Sequence, residues 1–137
     1  TDLIGENTKE SIARGTDIYH RIFSANASIA AAGIPGVVGP DAWVEVVNEA
    51  LKGYKRTQHL IGSQVVEQVV LPNDEGLNGS ANMSSYLQAW HASPDDELWE
   101  FIGTYHDKLT FTTNVGWQIQ DMVLEHVSGD RRKITTA

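Results

Sequence analysis

The chain reads as an α+β domain, with helices packed on one face of an antiparallel sheet. Helical signals are concentrated before Lys55. Four long strand-like stretches then follow one another, an order typical of segregated helices and sheet. Turn-rich separators, PNDEGLNGS, SPDDE and NVG, stand between those stretches.

The elements follow in order. TKESIARG and TDIYHRIFSA predict two short helices, the second capped by Thr16 or Asp17 and lined by Ile18, Ile22 and Phe23. ASIAAAGIPGVV is small and apolar and ends in Gly33, Pro35 and Gly36, which suits a short strand and a turn. GPDAWVEVVNEALKGYK gives the clearest helix. Pro40 and Asp41 signal its start, with Asp41 as the expected N-cap, and Trp43, Val46, Val47, Ala50, Leu51 and Tyr54 recur at helical spacing. The strands are QHLIGSQVVEQVVL, ANMSSYLQAWHAS, LWEFIGTYHDKLTFTT and GWQIQDMVLEHV. No repeat, linker or shift of composition divides the 137 residues, so a single domain over 1–137 is expected. Hydrophobic residues at 41% are enough for a core at this length.

Composition removes several classes of function. Acids outnumber bases 18 to 10, a net charge of −8, which opposes binding to a phosphate backbone, so no nucleic-acid partner is expected. The one basic cluster, Arg131, Arg132 and Lys133, reads as a solvated tail. With no cysteine there is no disulfide, thiol nucleophile or thiolate metal site, and a cytoplasmic location is compatible. No apolar run approaches the roughly 20 residues of a bilayer span, so no membrane partner is expected. The opening TDLIGENTKE is polar, unlike a signal peptide. Asn-X-Ser triplets at Asn26, Asn78 and Asn82 are of a kind common by chance. There is no G-x-S-x-G elbow, phosphate-binding glycine loop, His-Glu-x-x-His or calcium loop.

Alternation along the strands assigns faces. It groups His59, Ile61, Ser63 and Val65, then Met83, Ser85, Leu87, Ala89 and His91. It groups Gly103, Tyr105, Asp107, Leu109 and Phe111 on the third strand, and Trp117, Ile119, Asp121 and Val123 on the fourth. Each face is mainly apolar or small, yet each carries a histidine or an aspartate. Buried ionisable groups are costly unless partnered, so these exceptions point to a polar spot inside an apolar cavity. His106, next to Asp107, falls on the opposite face.

The passage TQHLIG, the AWH closing a later strand, the G-x-Y-x-D of GTYHD and the closing GWQI together resemble the scytalone dehydratase and SnoaL-like family, over about residues 14 to 127. The resemblance implies the nuclear transport factor two-like cone, a strongly curved antiparallel sheet wrapped around helices. It implies a cofactor-independent lyase or isomerase, of dehydratase or cyclase type, acting on a small hydrophobic metabolite of polyketide or terpenoid character. His59 and His91 map onto the family's acid/base histidines, with Asp107 assisting. Tyr19, Tyr105 and Asp121 are the expected substrate contacts, and no cofactor or metal is expected. A homodimer through the outer sheet face, where Tyr86 and Trp90 point, is expected too. The chain departs from the dehydratases in two places. Near Ser11 to Ala13 it lacks their Tyr-Asp pair, and near Asp107 to Leu109 it lacks their Ser and Asn, which argues against scytalone itself as substrate.

Three other readings stay open from the residues. A binding or dimerisation module of the same fold needs no turnover. Two histidines with an aspartate are also an iron-ligand set. Epoxide opening would require two acids around a water.

Overall fold

The computed structural model describes residues 9–75 and 77–134, with side chains from Ala13 onward. The two short helices expected at the start are one continuous helix, α1, Lys9–Ile22. Of the stretch near Ser11 to Ala13, only the Ala13 side chain lies within the described residues. His20 and Arg21 occupy the last turn of α1, where positive charge meets the negative end of the helix dipole.

The chain continues through β1, Phe23–Ala31, and β2, Ile34–Val38, into α2, Pro40–Leu51. Asp41 is not the N-cap of α2. Gly39 takes that place at φ 86, and a Cβ there would stand 2.9 Å from the Ala25 carbonyl oxygen. Pro40, which has no N–H to satisfy, fills the first helical position. The exposed Asp41 carboxylate instead pairs with His20 Nε2 at 2.8 Å.

Four long strands follow: β3, Arg56–Val70; β4, Gly79–Ala92; β5, Glu97–Thr112; and β6, Gly116–Ser128. A three-residue β7, Arg131–Lys133, forms where a solvated tail was expected. The path through the seven-stranded sheet is β2-β1-β6-β5-β4-β3, with β7 pairing the start of β5 beyond the end of β6. The pairing of β1 with β6 is parallel, so the sheet is mixed rather than antiparallel throughout.

Bulges change two of the expected faces. In β3 the register shifts between Gly62 and Val65 and again between Glu67 and Val70, at Ser63 (φ 51) and Gln68 (φ 52). His59 and Ile61 keep the inner face, but Val65 passes to the outer side opposite Ser84. In β6 a shift follows Ile119, so Met122, not Asp121 or Val123, is the buried residue opposite Asp107.

The core lies at one end of the sheet. Phe23, Ala27, Ile29, Trp43 and Met122 are buried together, and Tyr19, Val46, Val47 and Tyr105 pack against them. Both helices meet β1 there, α1 also touches β6, and α2 touches β2. Further across, the inner face of β4 is small but buried, with Ala81, Ser85 and Ala89 all under a tenth exposed.

Candidate active site

The inner face carries two separate polar groups of residues. The first centres on the histidines. Four residues form one row across four strands, because Thr57 pairs with His91, His91 with Trp99, and Trp99 with Arg131. His59 stands in the next row, opposite Ala89, and is thus a diagonal neighbour of His91. Their imidazoles meet edge to face with centroids 5.3 Å apart.

His91 is held on several sides. Its ring stacks on Trp99 at 4.3 Å, and the Tyr54 ring lies 5.1 Å away. Its Nδ1 is 3.2 Å from the Trp99 carbonyl oxygen. That oxygen can only accept, so the proton sits on Nδ1 and the Nε2 lone pair is free. His91 is 3% exposed, and burial pulls its pKa below the ordinary histidine value; the bond to Trp99 opposes that shift, and the charge of Arg131 adds to it.

His59 is half-buried, and its Nε2 has no hydrogen-bond partner. Burial, then the neighbouring His91, lowers its pKa to about 4. The ring is therefore neutral near pH 7. A buried polar nitrogen without a partner costs about 1–3 kcal/mol, which a ligand group placed against it would recover.

The second group is Tyr19, Tyr105 and Asp107. Asp107 is 5% exposed, with Oδ1 unpaired. Burial raises its pKa to about 6; His106 opposes the shift and Asp121 adds to it. Burial also raises both tyrosines, and Tyr105 feels Tyr19 and Asp107 as well. Asp107 lies eight positions along β5 from Trp99, roughly 26 Å on an extended strand. Neither histidine is among the charges that influence it. The structure thus joins His59 to His91, and Asp107 to Tyr105 and Tyr19, without merging the two groups.

Asp121 belongs to neither. The β6 bulge turns it to the outer face beside Lys108, where it lines a groove of about 430 Å³ with Val65, Glu67, Ser84 and His106, a groove that Asp107 also lines. This corrects the inward placement expected from simple alternation. A second hollow, about 290 Å³, lies near Glu100, Ile102 and Arg132. Neither His59 nor His91 lines either hollow. Among the described residues no three His, Asp or Glu side chains gather as ligands for a metal ion. No described helix is long and apolar enough to cross a membrane.

Three residues of the histidine group were not legible as such: Tyr54, Trp99 and Arg131. The signal for Trp99 was the four-residue connection between Ala92 and Glu97, which sets the register placing it opposite His91.

A curved sheet with two helices at one end and a histidine pair on its inner face defines a cone-shaped α+β domain. The chain belongs to the family of SnoaL-like domains, whose family model matches residues 15–123. A search of curated protein sequences returns no match. Among solved structures it is similar to the hexachlorocyclohexane dehydrochlorinase LinA type 2, at 16% identity and TM-score 0.73, over 91% of this chain and 81% of that one. It is also similar to the Kfla4162 protein of Kribbella flavida, at 19% identity and TM-score 0.68, over 87% and 81% of the two chains. A protein assigned as a scytalone dehydratase from Novosphingobium aromaticivorans matches at 16% identity and TM-score 0.65, over 93% and 85%. At such identities these likenesses establish the fold.

Proposed function

We propose that the chain is a cofactor-independent lyase or isomerase that moves a proton next to a carbonyl in a small apolar metabolite of polyketide or terpenoid type. The observation that carries the reading is the buried histidine pair, in which His91 has a free Nε2 lone pair and His59 an unpaired Nε2 beside it. Relatives named as a dehydrochlorinase and a scytalone dehydratase are named for eliminations, which agrees with it.

The roles follow from the environments. His91 Nε2 takes the proton from the carbon next to the carbonyl. Electron density moves to the carbonyl oxygen, where His59, neutral and carrying its proton on Nε2, donates a hydrogen bond to the developing negative charge. The His91 imidazolium then gives its proton to the hydroxyl on the next carbon. The carbon–oxygen bond breaks, water leaves, and the double bond forms. Returning the proton to a different carbon instead makes the reaction an isomerisation. Asp107, Tyr105 and Tyr19 lie too far along the sheet for a small metabolite to touch them and the histidines together, and they take no part in this step. The domain works in the cytoplasm as a homodimer joined through its outer sheet face.

A ligand-binding domain without turnover is the second reading. What favours it is the low basicity of His59, which suits a hydrogen-bonding anchor. The test is dehydration of bicyclic β-hydroxyketones of the hydroxytetralone type to naphthols, followed by fluorescence. Wild-type turnover that His91→Ala abolishes supports the enzyme. Saturable binding of the ketones with no turnover supports the anchor.

A further inference from the structure

The charged side chain that acts on His91 is Arg131, on the short β7. Its guanidinium carbon stands 4.9 Å from the centre of the Trp99 ring, and Trp99 in turn stacks on His91. Its Nη2 donates to the Tyr54 hydroxyl at 3.4 Å, and its Nη1 meets Glu97 Oε1 at 3.5 Å. The Tyr54 ring stacks on Trp99 at 5.8 Å as well as lying against His91. Guanidinium, indole and imidazole thus form one continuous series, with Tyr54 tying its two ends.

The backbone places Arg131 there deliberately. Gly129, at φ 149, turns the chain from β6 into β7, and a Cβ at that position would collide with the Glu100 carbonyl oxygen. Glu100 N–H then bonds the Asp130 carbonyl at 2.8 Å, which sets the register that brings Arg131 opposite Trp99.

We propose that Arg131 is a positioning residue for His91: through Trp99 and Tyr54 it fixes the orientation of the imidazole, with Nδ1 on the Trp99 carbonyl and Nε2 left unbonded. The proposal deepens the acid/base reading of His91 and rests on it for its catalytic meaning. The geometry acts in two ways. The cation–indole contact and the Tyr54 bond press Trp99 against His91, so its carbonyl stays aligned with Nδ1. The positive charge also opposes a second positive charge on the imidazole. The groups facing His91 are His59 from β3, Tyr54 from the segment before β3, Trp99 from β5 and Arg131 from β7, with Glu97 partly offsetting Arg131.

The test is a pH titration of the histidine rings of the full chain by long-range proton–nitrogen correlation spectra, in wild type, Arg131→Met, Arg131→Gln and Arg131→Lys. In Arg131→Met and Arg131→Gln the His91 midpoint rises by roughly 0.5 pH unit or more, as loss of a neighbouring positive charge requires. In the same variants the Nε2 signal loses part of its unprotonated character. Arg131→Lys restores the midpoint, but not the Nε2 signal, because an ammonium lacks the planar fork. If Arg131→Met is unfolded, Arg131→Gln carries the test. The inference is overturned if a folded neutral variant leaves both the His91 midpoint and its ring-nitrogen shifts unchanged; Arg131 is then only a clasp for β7. The readout needs no substrate. Full turnover in His91→Ala would remove the proposed function and leave this coupling intact, whereas an unmoved His91 ring would remove this inference alone.

Discussion

The imidazoles of His59 and His91 stand edge to face 5.3 Å apart on neighbouring strands, close enough that a charge on one opposes a charge on the other. The pair therefore carries at most one positive charge through the neutral range. His91, fixed by the Trp99 carbonyl, is the better base, and His59 the better neutral donor.

Replacing either histidine by alanine is expected to lower turnover by about 10²–10⁴-fold, the usual contribution of a positioned acid or base. His59→Gln keeps a polar contact, so it retains ligand affinity better than His59→Ala. Initial rates and equilibrium titrations on the hydroxytetralone probes separate these effects. Circular dichroism should show all three variants folded.

Stability carries two opposed pH dependences. His59 falls from 6.5 to about 4 on folding, so between those values the unfolded chain binds more protons, and stability is lost as pH falls through that window. Asp107 rises from 3.8 to about 6, so between those values the folded chain binds more protons, and stability is lost as pH rises. Urea unfolding across the range should show His59→Gln flattening the first slope and Asp107→Asn the second. Above pH 6, Asp107→Asn should be stabilising by about 1–3 kcal/mol, because it removes a buried charge with an unpaired oxygen. A destabilised Asp107→Asn at high pH would mean that the carboxylate has a partner in solution.

The outer face carries Leu60, Val65, Tyr86 and Val123, each more than two-fifths exposed. Trp90 has its Nε1 bonded to Gln58 at 2.6 Å. Large apolar side chains exposed on one sheet face are a surface that a second copy could cover. Sedimentation velocity is expected to give a dimer for wild type and a monomer for Tyr86→Glu. A wild-type monomer at high micromolar concentration would contradict the dimer.

Much of this architecture was legible in the sequence. Helices before strands gave the α+β class, and period-two alternation placed His59, His91 and Asp107 on inner faces. What escaped was local backbone irregularity. Ser63 and Gln68 adopt positive φ without being glycine, so nothing in their residue type announced the β3 bulges that turned Val65 outward. The β6 bulge likewise put Asp121 opposite Lys108 and left Met122 facing Asp107. The parallel pairing of β1 with β6 joins elements far apart in the chain, as in Phe23 with Ile119, beyond the reach of local pattern. Arg131 looked like part of a solvated basic run because its partners, Trp99 and Tyr54, become neighbours only through the β4–β5 register and the turn at Gly129.

The most direct measurement of the central claim is deuterium wash-in next to the carbonyl of α-tetralone, followed by proton spectra in heavy water. This ketone has no hydroxyl to lose, so the experiment isolates the proton transfer assigned to His91. Wild type is expected to show enzyme-dependent exchange that falls by about 10²-fold or more in His91→Ala. Equal exchange rates in the two proteins would contradict it.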